Sequence, residues 1–182
     1  MKNHLVVALI YNQLCTFEFG CTVEVFALKR PELGVPWYEF ATHAVDQGEI
    51  TAAGGITIVP TAGEALLENA DTIIVPGWRG VDAPVPAKLI AQLQAAHARG
   101  ARICSICTGA FVLAAAGLLD GKRVTTHWRY TDLLASMYPH LTIQPNELYV
   151  DQGQIVTAAG SAAGLDMMLH LVRNDHGARV AN

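Results

Sequence analysis

The stretch that decides the fold is Arg102-Ile103-Cys104-Ser105-Ile106-Cys107-Thr108-Gly109-Ala110-Phe111. It predicts an apolar strand that turns into a helix at Cys107, because Thr-Gly and a helical run follow the cysteine at once. Such a turn lifts one side chain above the edge of the sheet and often holds it in strained backbone geometry. The free N–H groups of the new helix would face the sulfur atom. We therefore expect a lowered pKa for Cys107 and a thiolate near neutral pH.

The alternative for Cys107 is a small buried core residue, which is a common environment for a free cysteine. Cys104 and Cys107 also form a C-x-x-C pair. In a redox pair of the thioredoxin kind both cysteines lie at a helix start, whereas Cys104 falls within the predicted strand. We expect a structural Cys104 and a reactive or ligand-sensing Cys107.

The composition bounds the class of protein. The chain has 182 residues, of which 52% are hydrophobic and 15% charged, as in one domain with a sheet buried on both faces. A net charge of −4, with scattered Lys and Arg, argues against nucleic-acid binding by this chain itself. No apolar run approaches the ~18 residues of a membrane span. The N-terminus lacks a signal-peptide layout, so a cytoplasmic protein with reduced thiols is expected.

Strand-like and helix-like segments alternate along the chain, which predicts an α/β fold with a mainly parallel sheet covered on both sides. Strands are predicted over residues 5–10, 38–45, 72–75, 102–106 and 123–126, and hairpins over 49–59 and 148–156. Helices are predicted over 19–29, 63–69, 86–99, 108–116, 130–137 and 161–172, the last with Ser161 as its N-cap. Residues 1–175 are expected to form the domain and 176–182 the start of a linker.

In parallel sheets the functional site lies beyond the carboxyl ends of the strands. The turns at 11–18, 76–79, Cys107 and His127 all follow strands, so we expect them to converge there. His127 is either a base or ion-pair partner of Cys107 or an ordinary hydrogen-bonded loop histidine. Glu18, between two Phe residues, is either a desolvated carboxyl that hydrogen-bonds a thiolate or a carboxylate that complements a helix dipole.

The turn that contains Gly77 and Trp78 is a second candidate part of the site. Its N–H groups, with that of Thr108, could form an oxyanion-type hole, and Trp78 could cover a ligand. The alternative is an ordinary turn with an exposed Trp. No metal site and no cofactor are predicted, because the histidines form no ligand pair and no phosphate-binding Gly loop is present.

Three blocks of sequence carry a resemblance to a known family. They are Ile106-Cys107-Thr108-Gly109-Ala110-Phe111-Val112-Leu113-Ala114, Gly117-Leu118-Leu119-Asp120-Gly121 and Thr125-Thr126-His127-Trp128. They resemble the ThiJ/PfpI branch of the class I glutamine amidotransferase-like superfamily, above all the amidase-like N-terminal domain of AraC-family transcriptional regulators of the GlxA/FtrA type. Residues 75–78 and 157–166 fit that subgroup too, and the likeness spans nearly the whole chain.

The resemblance implies a flavodoxin-like three-layer α/β sandwich with Cys107 on a nucleophile elbow and His127 close by. It gives Glu18 the acidic position after the first strand, which is often Asp in isonitrile-hydratase-like members. Trp78 stands where many enzymatic relatives have a small residue, which implies a narrower pocket. In the regulators a helix-turn-helix domain, absent from this chain, follows and contacts DNA.

Three functions are compatible with these residues. The first is a homodimeric ligand-sensing domain that binds a small polar metabolite over Cys107, near Glu18, Trp78, Thr108 and His127. The second is a cysteine-dependent hydrolase or isonitrile-hydratase-like enzyme, in which Glu18 or His127 moves protons. The third is an oxidation sensor or protein-repair function at a Cys107 thiolate.

Overall fold

The computed structural model describes residues 3–60 and 64–182, over which strands and helices alternate. The strands are β1 (Leu5–Ile10), β2 (Glu39–Ala44), β3 (Ile50–Thr51), β4 (Thr57–Ile58), β5 (Thr72–Val75), β6 (Arg102–Ile106), β7 (Arg123–Val124), β8 (Thr142–Ile143), β9 (Tyr149–Asp151) and β10 (Ile155–Ala158). The α-helices are α1 (Thr16–Thr22), α2 (Glu64–Glu68), α3 (Ala87–Ala98), α4 (Gly109–Ala115), α5 (Thr131–Met137), α6 (Ala162–His176) and α7 (Ala178–Ala181).

The central sheet has the strand order β2-β1-β5-β6-β10-β9. Its first five strands are parallel, and only the edge strand β9 is antiparallel to its neighbour β10. β1, β5, β6 and β10 consist almost entirely of buried residues, as expected for parallel strands covered on both faces. The parallel strands place their carboxyl ends at one edge, where the loops that carry the candidate site residues begin.

Two apolar clusters lie on the two faces of the sheet and make the molecule a three-layer sandwich. One combines Leu9, Ile73 and Ile103 of the strands with α3 and α4. The other combines Val6, Ile74 and Ile106 with α6. Alternate side chains of one strand therefore enter different clusters, as the pleat requires. This confirms the predicted α/β sandwich with a mainly parallel sheet.

Two predicted elements differ from the observed ones. The helix predicted over 19–29 begins earlier, as α1, and continues as a π-helical turn over Val23–Ala27. The strand predicted over 123–126 is shorter and pairs with β8 outside the central sheet. The predicted helix over 63–69 corresponds to α2, and Gly63 lies outside the described residues.

The end of the chain is helical. Residues 176–182, which we expect to begin a linker, include helix α7, whose Val180 is buried against the cluster that contains α6. The linker to a further domain stays a prediction. The 3-10 turns at Pro31–Leu33 and Trp128–Tyr130 complete the helical segments. None of the helices in the described ranges is long and apolar enough to cross a membrane.

Candidate functional site

Cys107 occupies the turn between β6 and α4 and has a φ of +56°, which is rare for a residue other than glycine. Its N–H donates to Ala158 O at 3.0 Å, and its carbonyl accepts from Thr126 Oγ1 at 2.7 Å. These bonds tie the turn to the neighbouring strand β10 and to the loop after β7. The sequence prediction of a strained elbow at Cys107 is confirmed.

Gly109 explains why the motif continues as Thr-Gly. A Cβ atom at this position would lie 2.4 Å from Val75 O and 2.7 Å from Pro76 O, closer than atoms can approach. The first turn of α4 therefore packs directly against the main chain at the end of β5. This contact fixes the elbow relative to the turn that contains Gly77.

Glu18 lies in the first turn of α1 and is only 2% exposed. Its Oε2 accepts from Gly77 N at 2.6 Å, its Oε1 accepts from Ser161 N at 3.3 Å, and the Cys107 thiol also donates to it. Burial raises the pKa of Glu18, and these three donors, together with nearby His127, offset part of that rise. Glu18 thus joins the loops after β5, β6 and β10 at one carboxyl group, and of the two alternatives for Glu18 the desolvated carboxyl is the one observed.

The pKa of Cys107 contradicts the expectation from the helix N-terminus. Burial and the negative charge of Glu18 raise it to about 12, although hydrogen bonds from Thr108 lower it in part. A low-dielectric environment disfavours the charged form of an acid, and a like charge beside it adds to that effect. Near neutral pH the sulfur is therefore a thiol that donates to Glu18, not a thiolate.

His127 lies on the other side of the cysteine. Its Nδ1 accepts from Arg129 N at 3.3 Å, so a proton on the neutral ring belongs on Nε2. Gly160 separates the two side chains: a Cβ at this glycine would lie 2.7 Å from His127 Cδ2 and 3.5 Å from Cys107 Sγ. The imidazole and the sulfur are thus brought together across one glycine. Trp128, whose ring is 5.4 Å from that of His127, is 71% exposed.

The turn that contains Gly77 and Trp78 is ordered by contacts within the protein. The Gly77 N–H belongs to Glu18, so it is not free for an oxyanion. The Trp78 indole is 4% exposed, packs edge-on against Tyr11 and donates from Nε1 to Ala83 O at 3.1 Å. Thr108 Oγ1 donates to Trp78 O at 3.1 Å. Trp78 is therefore neither an exposed turn residue nor a surface-exposed cover, and a ligand contact by Gly77, Trp78 or Thr108 stays a prediction.

The structure adds three residues that the sequence analysis did not assign to the site. They are Thr126, which holds the Cys107 carbonyl, Gly160, which separates Cys107 from His127, and Ser161, which donates to Glu18. A signal for the last two was present, because Gly160 and Ser161 lie within three residues of the end of a buried strand, β10, whose carboxyl end lies at the same edge as Cys107. Within the described ranges, no group of three or more His, Cys, Asp or Glu side chains is placed to hold a metal ion.

Sequence comparisons match most of the chain to known proteins. A family model described as the DJ-1/PfpI family matches residues 5–174. The HTH-type transcriptional regulator GbdR of Pseudomonas aeruginosa is 30% identical over 93% of this chain and 46% of its own length. An isonitrile hydratase of Pseudomonas putida is 37% identical over 68% of this chain and 54% of its own length. The chain thus spans about half the length of these two relatives.

A solved structure supports the fold. An AraC family transcriptional regulator from Pseudomonas putida superposes with a TM-score of 0.84, at 22% identity, over 98% of this chain and 95% of that one. At this level of identity the likeness concerns the fold alone. It confirms the flavodoxin-like arrangement that the resemblance in sequence implied.

Proposed function

Because this chain belongs to the DJ-1/PfpI family, we propose that it is the ligand-sensing domain of an AraC-type transcriptional regulator. It binds a small polar metabolite, such as an amino acid or an amide, beside Cys107, Glu18 and His127. Gly77, Trp78 and Thr108 complete the binding site by packing beside these side chains. The domain forms a homodimer, and DNA is contacted by a helix-turn-helix domain outside this chain.

The relatives and the charge support a regulatory role. GbdR, which matches over 93% of this chain, carries the name of a transcriptional regulator and is about twice as long as the matched part. This chain has a net charge of −4, which disfavours contact with DNA phosphates. DNA binding therefore belongs to another part of the proposed regulator.

The observation that carries the proposal is the closed set of hydrogen bonds around Glu18. Its carboxylate holds the amide of Gly77, the amide of Ser161 and the thiol of Cys107. With the thiol protonated and the Gly77 amide occupied, the site lacks an activated nucleophile and a vacant oxyanion donor at that amide. A buried acceptor, a thiol and an imidazole are suited to recognising a ligand that has both N–H donors and carbonyl acceptors.

A thermal-shift screen tests this function. The probes are the amino acids and their amides, added to the wild-type domain at millimolar concentration. A true ligand at about 100 times its Kd stabilises by about 2.7 kcal/mol, and we expect Cys107→Ala and His127→Ala to reduce the shift strongly. His140→Ala is the matched control, because His140 pairs with Asp120 on the exposed surface. If no probe raises Tm and DNA binding by the full-length regulator ignores the same probes, the sensing role is wrong.

A second function is favoured by the elbow and by the relative named isonitrile hydratase. In it, water adds to the isonitrile carbon to give an N-substituted formamide. Cys107 either positions the water or adds to the isonitrile carbon to give a thioimidate, from which water releases the formamide and the free thiol, and Glu18 or His127 transfers the protons. Formamide production from a simple alkyl isonitrile, lost in Cys107→Ala and kept in His140→Ala, would establish the enzyme. Turnover that survives in Cys107→Ala would exclude this mechanism.

A further inference from the structure

Ser161, the residue before helix α6, has a backbone conformation that is unusual for serine. Its φ is +45° and its ψ is −115°, in a region that favours glycine. An ordinary N-cap serine has extended backbone angles, and its hydroxyl accepts from an N–H in the first turn. Ser161 makes no such side-chain bond, so its hydroxyl does not cap the helix. The strain must therefore be held by contacts other than capping.

Those contacts come from the candidate site. The Ser161 N–H donates to Glu18 Oε1 at 3.3 Å, and the preceding Gly160 is wedged between Cys107 and His127. The first turn of α6 is also pressed against the strand that leads to Cys107, because a Cβ at Gly164 would lie 2.9 Å from Ile106 Cγ2. The start of α6 is thus fixed from the site, with Glu18 supplying the hydrogen bond.

We propose that Glu18 and Ser161 form a latch on helix α6. While the carboxylate holds the Ser161 N–H, the serine stays in its strained conformation. When the hydrogen bond to the carboxylate is lost, Ser161 relaxes to an ordinary N-cap with negative φ. Its hydroxyl then accepts from the N–H of Ala163 or Gly164. Those two N–H groups now donate to the carbonyls of Gly160 and Ser161, at 3.0 Å each, so relaxation rearranges the first turn.

The helix is able to carry this change across the molecule. α6 has 15 residues and is about 22 Å long. Its far end is held by Asp175, which accepts from both Arg102 and Tyr38 at the opposite edge of the sheet. In the sensing role a ligand that donates to Glu18 Oε1 displaces Ser161 and opens the latch. This last step rests on the proposed function, whereas the latch itself does not.

A double-mutant cycle tests the latch without any ligand. In wild type, Ser161→Ala leaves Tm unchanged because the hydroxyl caps nothing, and Ser161→Gly raises Tm because glycine adopts positive φ without strain. Glu18→Gln opens the latch, since its single oxygen stays with Gly77 and its NH₂ group faces the Ser161 N–H. In that background Ser161 is a working cap, and Ser161→Ala lowers Tm by about 2–4 °C.

Amide hydrogen exchange gives the second readout. We expect the Ser161 amide, which loses its acceptor, to exchange at least about tenfold faster in Glu18→Gln than in wild type, with α3 unchanged. Glu24→Gln is the matched control, because Glu24 is an exposed carboxylate close to α1 that pairs with Arg30. Its exchange pattern should equal that of wild type.

The opposite results overturn the latch. Ser161→Ala that lowers Tm equally in both backgrounds would mean that Ser161 is an ordinary cap with no coupling to Glu18. Unchanged exchange of the Ser161 amide in Glu18→Gln would contradict it as well. If Glu18→Gln fails to fold, Glu18→Asp withdraws the carboxylate by one methylene and serves in its place. A Tm of Ser161→Gly at or below that of wild type overturns the strain on which the proposal depends.

Discussion

The two edges of the central sheet each hold a carboxylate beside helix α6, but the partners of the two carboxylates differ. At the carboxyl edge, Glu18 accepts from two main-chain N–H groups and a thiol. At the amino edge, Asp175 accepts from both terminal nitrogens of the Arg102 guanidinium, at 3.0 and 2.7 Å, and from Tyr38 Oη at 2.7 Å. One carboxylate has only neutral hydrogen-bond donors, and the other has a cation.

The pKa values of the two carboxyl groups move in opposite directions for that reason. Burial raises the pKa of Glu18, and its neutral donors compensate only in part. Burial also acts to raise the pKa of Asp175, but the hydrogen bonds and the charge of Arg102 hold it below its usual value. Asp175 therefore stays ionised and paired with Arg102, whereas Glu18 is a carboxyl group that can gain a proton and exchange its hydrogen-bond partners. Four experiments test this contrast.

The largest expected effect is on thiol reactivity. With the pKa of Cys107 raised to about 12, the thiolate fraction at pH 7.5 is roughly a thousandfold below that of an ordinary cysteine. We expect iodoacetamide to modify Cys107 correspondingly slowly, as followed by peptide mass spectrometry with N-acetylcysteine as reference. Glu18→Gln should speed the reaction, because it removes the adjacent negative charge. Rapid modification in wild type would mean that the thiolate is present and that Glu18 carries the proton.

The second effect is on stability at the amino edge. Asp175→Asn leaves the Arg102 guanidinium, whose side chain is 15% exposed, without its counter-ion. We expect the free energy of unfolding to fall by about 2 kcal/mol, as measured by urea denaturation. Asp166→Asn is the control, since Asp166 is exposed on the same helix. Equal losses of unfolding free energy in the two variants would show that the ion pair between Asp175 and Arg102 does not stabilise the fold.

The third effect is on packing at the carboxyl edge. Gly160→Ala places a Cβ 2.7 Å from His127 Cδ2, so the imidazole must move away from Cys107. We expect a loss of about 1 kcal/mol in unfolding free energy and a shift of the His127 ring resonances in NMR. Gly20→Ala is the matched control, because a Cβ there meets nothing within 4 Å and alanine favours the helix. An unchanged free energy of unfolding in Gly160→Ala would contradict the tight packing of Gly160 between His127 and Cys107.

The smallest effect is on the pH dependence of stability, and its sign differs between the two edges. The pKa of Glu18 is higher in the folded protein than in the unfolded chain. Wild type therefore loses stability as pH rises from 4.5 toward the pKa of Glu18 in the folded state, and the Tm of Glu18→Gln rises relative to that of wild type over this range. Because the pKa of Asp175 is lowered, wild type loses stability as pH falls below 3.8, so Asp175→Asn is least disadvantaged in acid. Difference profiles of Tm against pH measure both slopes, and slopes of the same sign would contradict the contrast.

Local sequence patterns were sufficient for the arrangement of the sheet and for the elbow. The buried runs at Leu5–Ile10, Thr72–Val75 and Arg102–Ile106 are all observed as central parallel strands. The positive φ of Cys107 follows from the strand, Thr-Gly and helix order around it. The observed β7, by contrast, stops at Val124 and lies outside the main sheet. The sequence of a short apolar run does not specify which strand it will pair with.

The chemistry of the site was less accessible from the sequence. The helix that follows Cys107 suggested a lowered pKa, but desolvation and the Glu18 charge outweigh that local effect. Two alternatives were open for Trp78, a cover over a ligand and an exposed turn residue, and its burial against Tyr11 excludes the exposed one. The hydrogen bond from Ser161 N–H to Glu18 joins positions 143 residues apart, and no spacing rule detects such a contact.

The sequence by itself therefore determined most of the segments that become strands and helices and the residue that stands on the elbow, because steric limits and apolar periodicity act over a few neighbouring residues. Only the tertiary structure decided the protonation of Cys107, the partners of Glu18 and the strain at Ser161. These properties depend on burial and on charges and donors from distant parts of the chain, which come together only when the loops after β1, β5, β6 and β10 meet at one edge of the sheet.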